Sequence, residues 1–169
     1  MMRIQRLHAV FGAACLACVP PTVAVAMQAA APQPLVEAFA ETCRRGFPDL
    51  QLVRQSALAA GWVEQAGSPE ASGAVAPATF QKGPWTLFLS APEAPGGSQS
   101  CRVAGTVEGD VAIGPLASAA SVALGVGPAQ FSRSSGAELA RWRSDPSVLV
   151  QASVSRAPRS ASLQVRVQP

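Results

Sequence analysis

Apolar residues recur at helical spacing near the start of the chain and at strand spacing through most of the rest. Leu35, Val36, Phe39, Ala40 and Cys43 fall at i, i+1, i+4, i+5 and i+8, one stripe of a 3.6-residue period. Glu37 and Glu41 lie off that stripe, Arg44 and Arg45 close the run, and Gly46 follows. Acid early, base late and glycine after is the order that the helix dipole and the C-terminal cap favour. A second helix is expected next, with Pro48 at its first position and Leu50, Val53, Ala57 and Leu58 inward, ending at Gly61.

Strand patterns then take over. Trp62-Val63-Glu64 reads as a short strand, residues 67–73 as a small polar loop, and residues 75–81 as a strand broken or edged by Pro77. The aromatic-rich run at 85–90, Trp-Thr-Leu-Phe-Leu-Ser, is bounded by Gly83-Pro84 and Pro92. After a Pro/Gly turn over 91–98, Cys101, Val103, Gly105 and Val107 alternate with Arg102, Ala104 and Thr106. Cys101 is therefore placed on the inward face of a strand, and the hairpin 85–107 is expected at the centre of the fold.

Residues 111–132 carry no charge, but Gly114, Pro115, Gly125, Gly127 and Pro128 interrupt them. A spanning helix needs about 20 predominantly apolar residues. The run instead predicts a short buried helix over 115–124, with Leu116, Ala120, Ala123 and Leu124 inward. Residues 137–143 lead into a turn at Ser144-Asp145-Pro146-Ser147. Val148, Val150, Ala152 and Val154 then share one face of a strand, and Leu163, Val165 and Val167 one face of another. The linker 156–160 between them is short enough for a hairpin. No repeat of fixed period is visible. The pattern predicts one α+β domain over 35–169: an antiparallel sheet of about five or six strands, with two N-terminal helices and one short internal helix packed on one face.

The beginning of the chain reads differently. Arg3 and Arg6 precede an uncharged, mostly apolar stretch ending in Ala24-Val25-Ala26, a small-x-small pattern of the kind signal peptidase cuts. Residues 1–26 are expected to be a signal peptide and 27–34 a flexible Ala/Pro/Gln tether. Export to a periplasm or the exterior follows, with no stable membrane span once the leader is removed. A lipid anchor at Cys18 is the alternative, although Cys15 stands where a lipobox usually has leucine.

Leader removal changes two counts. Cys15 and Cys18 go, leaving Cys43 and Cys101, which in an oxidising compartment are most simply one disulfide. The formal charge of +3 drops to +1, since eleven basic residues then face ten acidic ones. That balance gives no nucleic-acid footprint. Hydrophobic residues make up 49% of the chain and charged residues 14%, which sets intrinsic disorder aside.

Candidate chemistry is defined mainly by what is missing. The only histidine, His8, lies in the leader, so the remainder cannot build a Ser-His-Asp or Cys-His pair or a histidine metal site. No phosphate loop, dinucleotide fingerprint or calcium loop is present, and no cofactor, metal site or catalytic residue is assigned. Glu37 with Glu41 fits a solvated helix face, and Glu108 with Asp110 an acidic turn. Thr79-Phe80-Gln81-Lys82 echoes the S-x-x-K of serine acyltransferases, with threonine for serine and a strand where that motif opens a helix. In Arg141-Trp142-Arg143, strand alternation turns the tryptophan inward and both arginines to water. Trp62, Trp85 and Trp142 remain as candidate ligand-binding residues. The expected function is non-catalytic binding of an envelope protein or a small apolar ligand, without nucleic acid. The alternative is a histidine-independent hydrolase or other enzyme using Ser, Asp, Glu or Lys82.

Overall fold

Helical structure begins at Gln33, two residues inside the stretch expected as tether. The computed structural model describes residues 33–65, 77–92 and 97–167. The expected leader, most of the tether, the loop at 67–73 and part of the turn at 91–98 lie outside them. Helix α1 (Gln33–Phe39) runs directly into a π turn, Ala40–Arg44. Leu35, Val36, Phe39 and Cys43 are all at most 1% exposed, as the stripe requires. The wider π turn breaks the i,i+4 spacing beyond Phe39. Glu41, four residues before Arg45 and so an i,i+4 pair with it in a regular helix, accordingly meets Lys82 instead, at 3.5 Å.

Helix α2 (Leu50–Ala59) starts two residues later than Pro48 suggested. Asp49 is its cap, accepting hydrogen bonds from the N–H groups of Gln51 (2.9 Å) and Leu52 (3.1 Å). Leu50, Val53 and Ala57 are buried, whereas Leu58, a further 100° around the helix, is half exposed. This helix packs chiefly on the π turn, so it forms an outer layer instead of lying on the sheet. Gly46 permits the approach. A Cβ there would lie 2.5 Å from Val53 N and 2.8 Å from Leu52 C, both backbone atoms. Gly46→Ala is expected to destabilise the fold by about 1–3 kcal/mol through overpacking. A denaturant midpoint equal to that of the parent would contradict this packing.

The sheet has eight strands, all antiparallel, in the order β1-β2-β3-β4-β8-β7-β6-β5. They are β1 (Val63–Glu64), β2 (Ala78–Lys82), β3 (Trp85–Ser90), β4 (Ser100–Thr106), β5 (Gln130–Ser134), β6 (Ala137–Asp145), β7 (Val148–Arg156) and β8 (Arg159–Val167). The count exceeds five or six, and the strand without a signal is β5: every one of its residues is exposed, so it shows no alternation of burial. The short strand expected at 62–64 is present as β1, with two residues. The central pair is β4 with β8, not the hairpin of β3 and β4.

Connectivity shows a repeat that the residues do not. Helix followed by a four-strand meander occurs twice, first α1–α2–β1–β2–β3–β4 and then α3–β5–β6–β7–β8, where α3 is Ile113–Leu124. The halves join along β4 and β8, with Val103 opposite Leu163. Unequal connections hide the period: β3 and β4 are separated by residues 91–99, β7 and β8 only by Ala157-Pro158.

One face of the sheet is covered. Phe80, Leu87, Cys101, Val103, Ala140, Ala152 and Leu163, all fully buried, form one core with α1 and α3. α1 lies on β4 and β8, α3 on β6 and β7, and the two helices touch. The left-handed Gly125 (φ 64°) closes α3. Cys43 and Cys101 form a disulfide with a Cα–Cα distance of 5.5 Å, which ties the π turn after α1 to β4.

Candidate functional site

Where the C-terminal ends of α1 and α3 meet β7 and β8, the core opens into a pocket of about 210 Å³. Val148, Val150 and Val165 supply its sheet side, Phe39 and Leu124 its helical walls, and Phe47, Pro48 and Val126 its rim. Among the described residues, Arg44 is the one charged residue in the lining. Its Nη1 donates to the carbonyl of Ala123 in the last turn of α3. Those terminal carbonyls carry partial negative charge and hold a cation in place. A guanidinium has five N–H donors, so others remain to meet a ligand at the pocket mouth.

Larger clefts lie at the far end of the sheet, and charged side chains line each of them: one of about 470 Å³ between α3 and β5, bordered by Arg133 and Glu138, and two more. One, about 340 Å³, is lined by Asp110, Arg156 and Arg159 among others. The other, about 360 Å³, includes Arg133, Glu138 and Arg156, and the Glu138 carboxylate lies 2.9 Å from Arg133 and 3.6 Å from Arg156. Ion pairing already occupies that acid.

The residues singled out from sequence are dispersed. Trp62 and Trp142 are core residues, 2% and 3% exposed, and Trp142 Nε1 donates to Ser121 Oγ at 2.9 Å. Trp85 is half-buried and packs across Gly105, where a Cβ would sit 2.5 Å from its ring. None of the three tryptophans lines the apolar pocket. Thr79 and Lys82, three apart on β2, fall on opposite faces of the sheet. Glu37 accepts a hydrogen bond from Gln33, and Glu108 and Asp110 are exposed in the loop after β4. Among the described residues, no three His, Cys, Asp or Glu side chains cluster as metal ligands would. Asp145, in the turn between β6 and β7, is held below the usual carboxylate range by the Ser147 hydroxyl, 2.6 Å away, and then by the Ser147 N–H.

The second face of the sheet is unlike the first. Registration brings Phe88, Arg102, Gln164, Gln151, Arg141 and Gln130 into one row across six strands. The next row holds Arg166, Leu149 and Arg143. The Arg102 guanidinium stands 5.8 Å from the Phe88 ring centroid, and Arg141 Nε donates to Gln151 Oε1 at 3.1 Å. Ser153 and Ser162 hydroxyls share a hydrogen bond of 2.7 Å on the same face. Alternation alone places each arginine on the polar side of its strand. Bringing the four together takes the strand order, which no local pattern encodes.

No family model, curated protein or solved structure matches this chain.

Proposed function

We propose that the protein is a small exported binding protein, without catalysis, that takes a small apolar ligand with an anionic end into the pocket between helices and sheet. The carrying observation is the pocket itself: a wall of valine, leucine and phenylalanine with a single anchored guanidinium at its edge. Sites of this kind combine apolar lining with few placed polar groups. A cavity of about 150 Å³ already accommodates benzene. At about 210 Å³, this pocket suits one aromatic ring with a substituent, or a short acyl chain. Export is supported by the leader pattern ending in Ala24-Val25-Ala26 and by the Cys43–Cys101 bond, since disulfides persist in oxidising compartments. Among the described residues, no helix is long and apolar enough to cross a membrane.

Titration with phenylacetate and with neutral phenylacetamide, followed through valine methyl resonances, tests the pocket. Shifts should concentrate at Val148, Val150 and Val165, and Val165→Phe should abolish them by filling the space. Arg44→Gln should weaken phenylacetate about tenfold, as loss of one charge-assisted hydrogen bond implies, and leave phenylacetamide unchanged. Absent or scattered shifts would refute the assignment.

A further inference from the structure

We infer that the face of the sheet opposite the described helices is a second binding site, for an acidic polysaccharide laid across the strands. Arg102, Arg166, Arg141 and Arg143 stand on this face, and none of the eight acidic side chains among the described residues shares it. Glu64 pairs with Arg54 of α2, and Glu138 with Arg133 and Arg156, all on the helix-bearing side. The modest net charge of the chain therefore conceals a strong asymmetry between its two sides. With strands about 4.8 Å apart, Arg102 and Arg141 are separated by about 14 Å, and Arg166 and Arg143 by about 10 Å. The four guanidinium groups thus flank the Gln164 and Gln151 amides, with the buried Leu149 between Arg166 and Arg143. Ser153 extends this polar field in the row beyond the glutamines.

That field selects among polyanions. Gln151, Gln164 and Ser153, all half-buried, offer both donors and acceptors, the complement of sugar hydroxyls, while Ser162 is buried and bonded to Ser153. Arginine in turn matches carboxylate or sulfate with paired hydrogen bonds. Arg102 and Arg141 are already positioned, one by the Phe88 ring and one by Gln151, so less freedom is lost on binding. A nucleic acid calls for stacking platforms, and Phe88 is the single aromatic in these rows, Trp142 being turned inward. A membrane calls for a cluster of apolar groups that insert, whereas Leu139 and Leu149 are each only 7% exposed and the exposed Phe88 stands beside the Arg102 guanidinium. A protein interface has an apolar core with a polar rim, and here the charges and amides occupy the centre.

The experiment is calorimetric titration of the full chain with polygalacturonate and with dextran sulfate, neutral dextran serving as control. Binding to at least one acidic glycan is expected, weakening steeply between about 50 and 200 mM salt as counterion release requires. Arg102→Gln with Arg166→Gln should lower affinity at least tenfold, as should Arg141→Gln with Arg143→Gln. The lysine versions of each pair should retain part of it. Arg45→Gln with Arg159→Gln removes the same net charge elsewhere and should leave affinity within twofold. Thermal melts of every variant separate lost binding from lost folding. Equal binding to neutral dextran, equal losses in the control pair, or binding confined to duplex DNA or anionic phospholipid vesicles would each overturn the inference, as would no binding to either acidic glycan.

Discussion

Replacing Cys43 and Cys101 together by alanine is expected to lower the free energy of unfolding by about 2–5 kcal/mol. The two residues are 58 apart in sequence, a loop whose closure contributes about 4 kcal/mol in the chain-entropy description. The π turn's polar ties, Glu41 with Lys82 and Arg44 with the Ala123 carbonyl, are exposed and weaker than a covalent bond. α1 has seven residues and holds the sheet through Leu35, Val36 and Phe39, and the bond fixes the π turn that carries the chain away from β4. That turn also bears Arg44, and Phe39 lies just before it, so the apolar pocket should loosen with the bond. Phenylacetate affinity should fall, while the arginine face, built on strands alone, should keep its ligand. Denaturant melts give the first quantity and the two titrations the others. An unchanged midpoint with complete loss of binding would instead mark a reactive disulfide.

The disulfide shows how far periodicity reaches. Cys43 falls on a helical stripe and Cys101 on the inward side of an alternating strand, so a shared core was readable from each residue separately. The same reasoning places Trp142 inside and Arg141 and Arg143 outside. It fails where burial is absent or the backbone departs from its period. β5 is exposed throughout, and so has no apolar alternation to announce it. The π turn moves Glu41 from Arg45 to Lys82, a pairing that no i,i+4 rule contains. The apolar pocket is legible only in pieces. Phe39, Leu124, Val150 and Val165 each read as core, but their convergence at one end depends on which strands the helices lie across. Strand order is likewise a long-range property: adjacent sequence predicts hairpins, whereas the seam of β4 with β8 joins residues about sixty apart.

That seam sets the cooperativity of the molecule. The two helix-plus-four-strand halves could be mistaken for separable units, yet α1, from the first half, lies on both β4 and β8 and touches α3 of the second. Opening the seam would therefore expose the underside of α1 as well as the facing edges of two strands. Leu163, fully buried, sits opposite Val103 at the middle of the seam. Leu163→Ala is expected to cost about 2–5 kcal/mol, combining lost transfer energy with the cavity left under α1. Unfolding should remain a single transition, because neither half retains a closed core once the other leaves. Far-ultraviolet circular dichroism and tryptophan fluorescence report the halves differently, Trp62 and Trp85 lying in the first and Trp142 in the second. The two signals should coincide in the parent and in Leu163→Ala, with the variant shifted to lower denaturant. Two separated transitions in the variant would mean that each half folds on its own and that α1 does not hold them together.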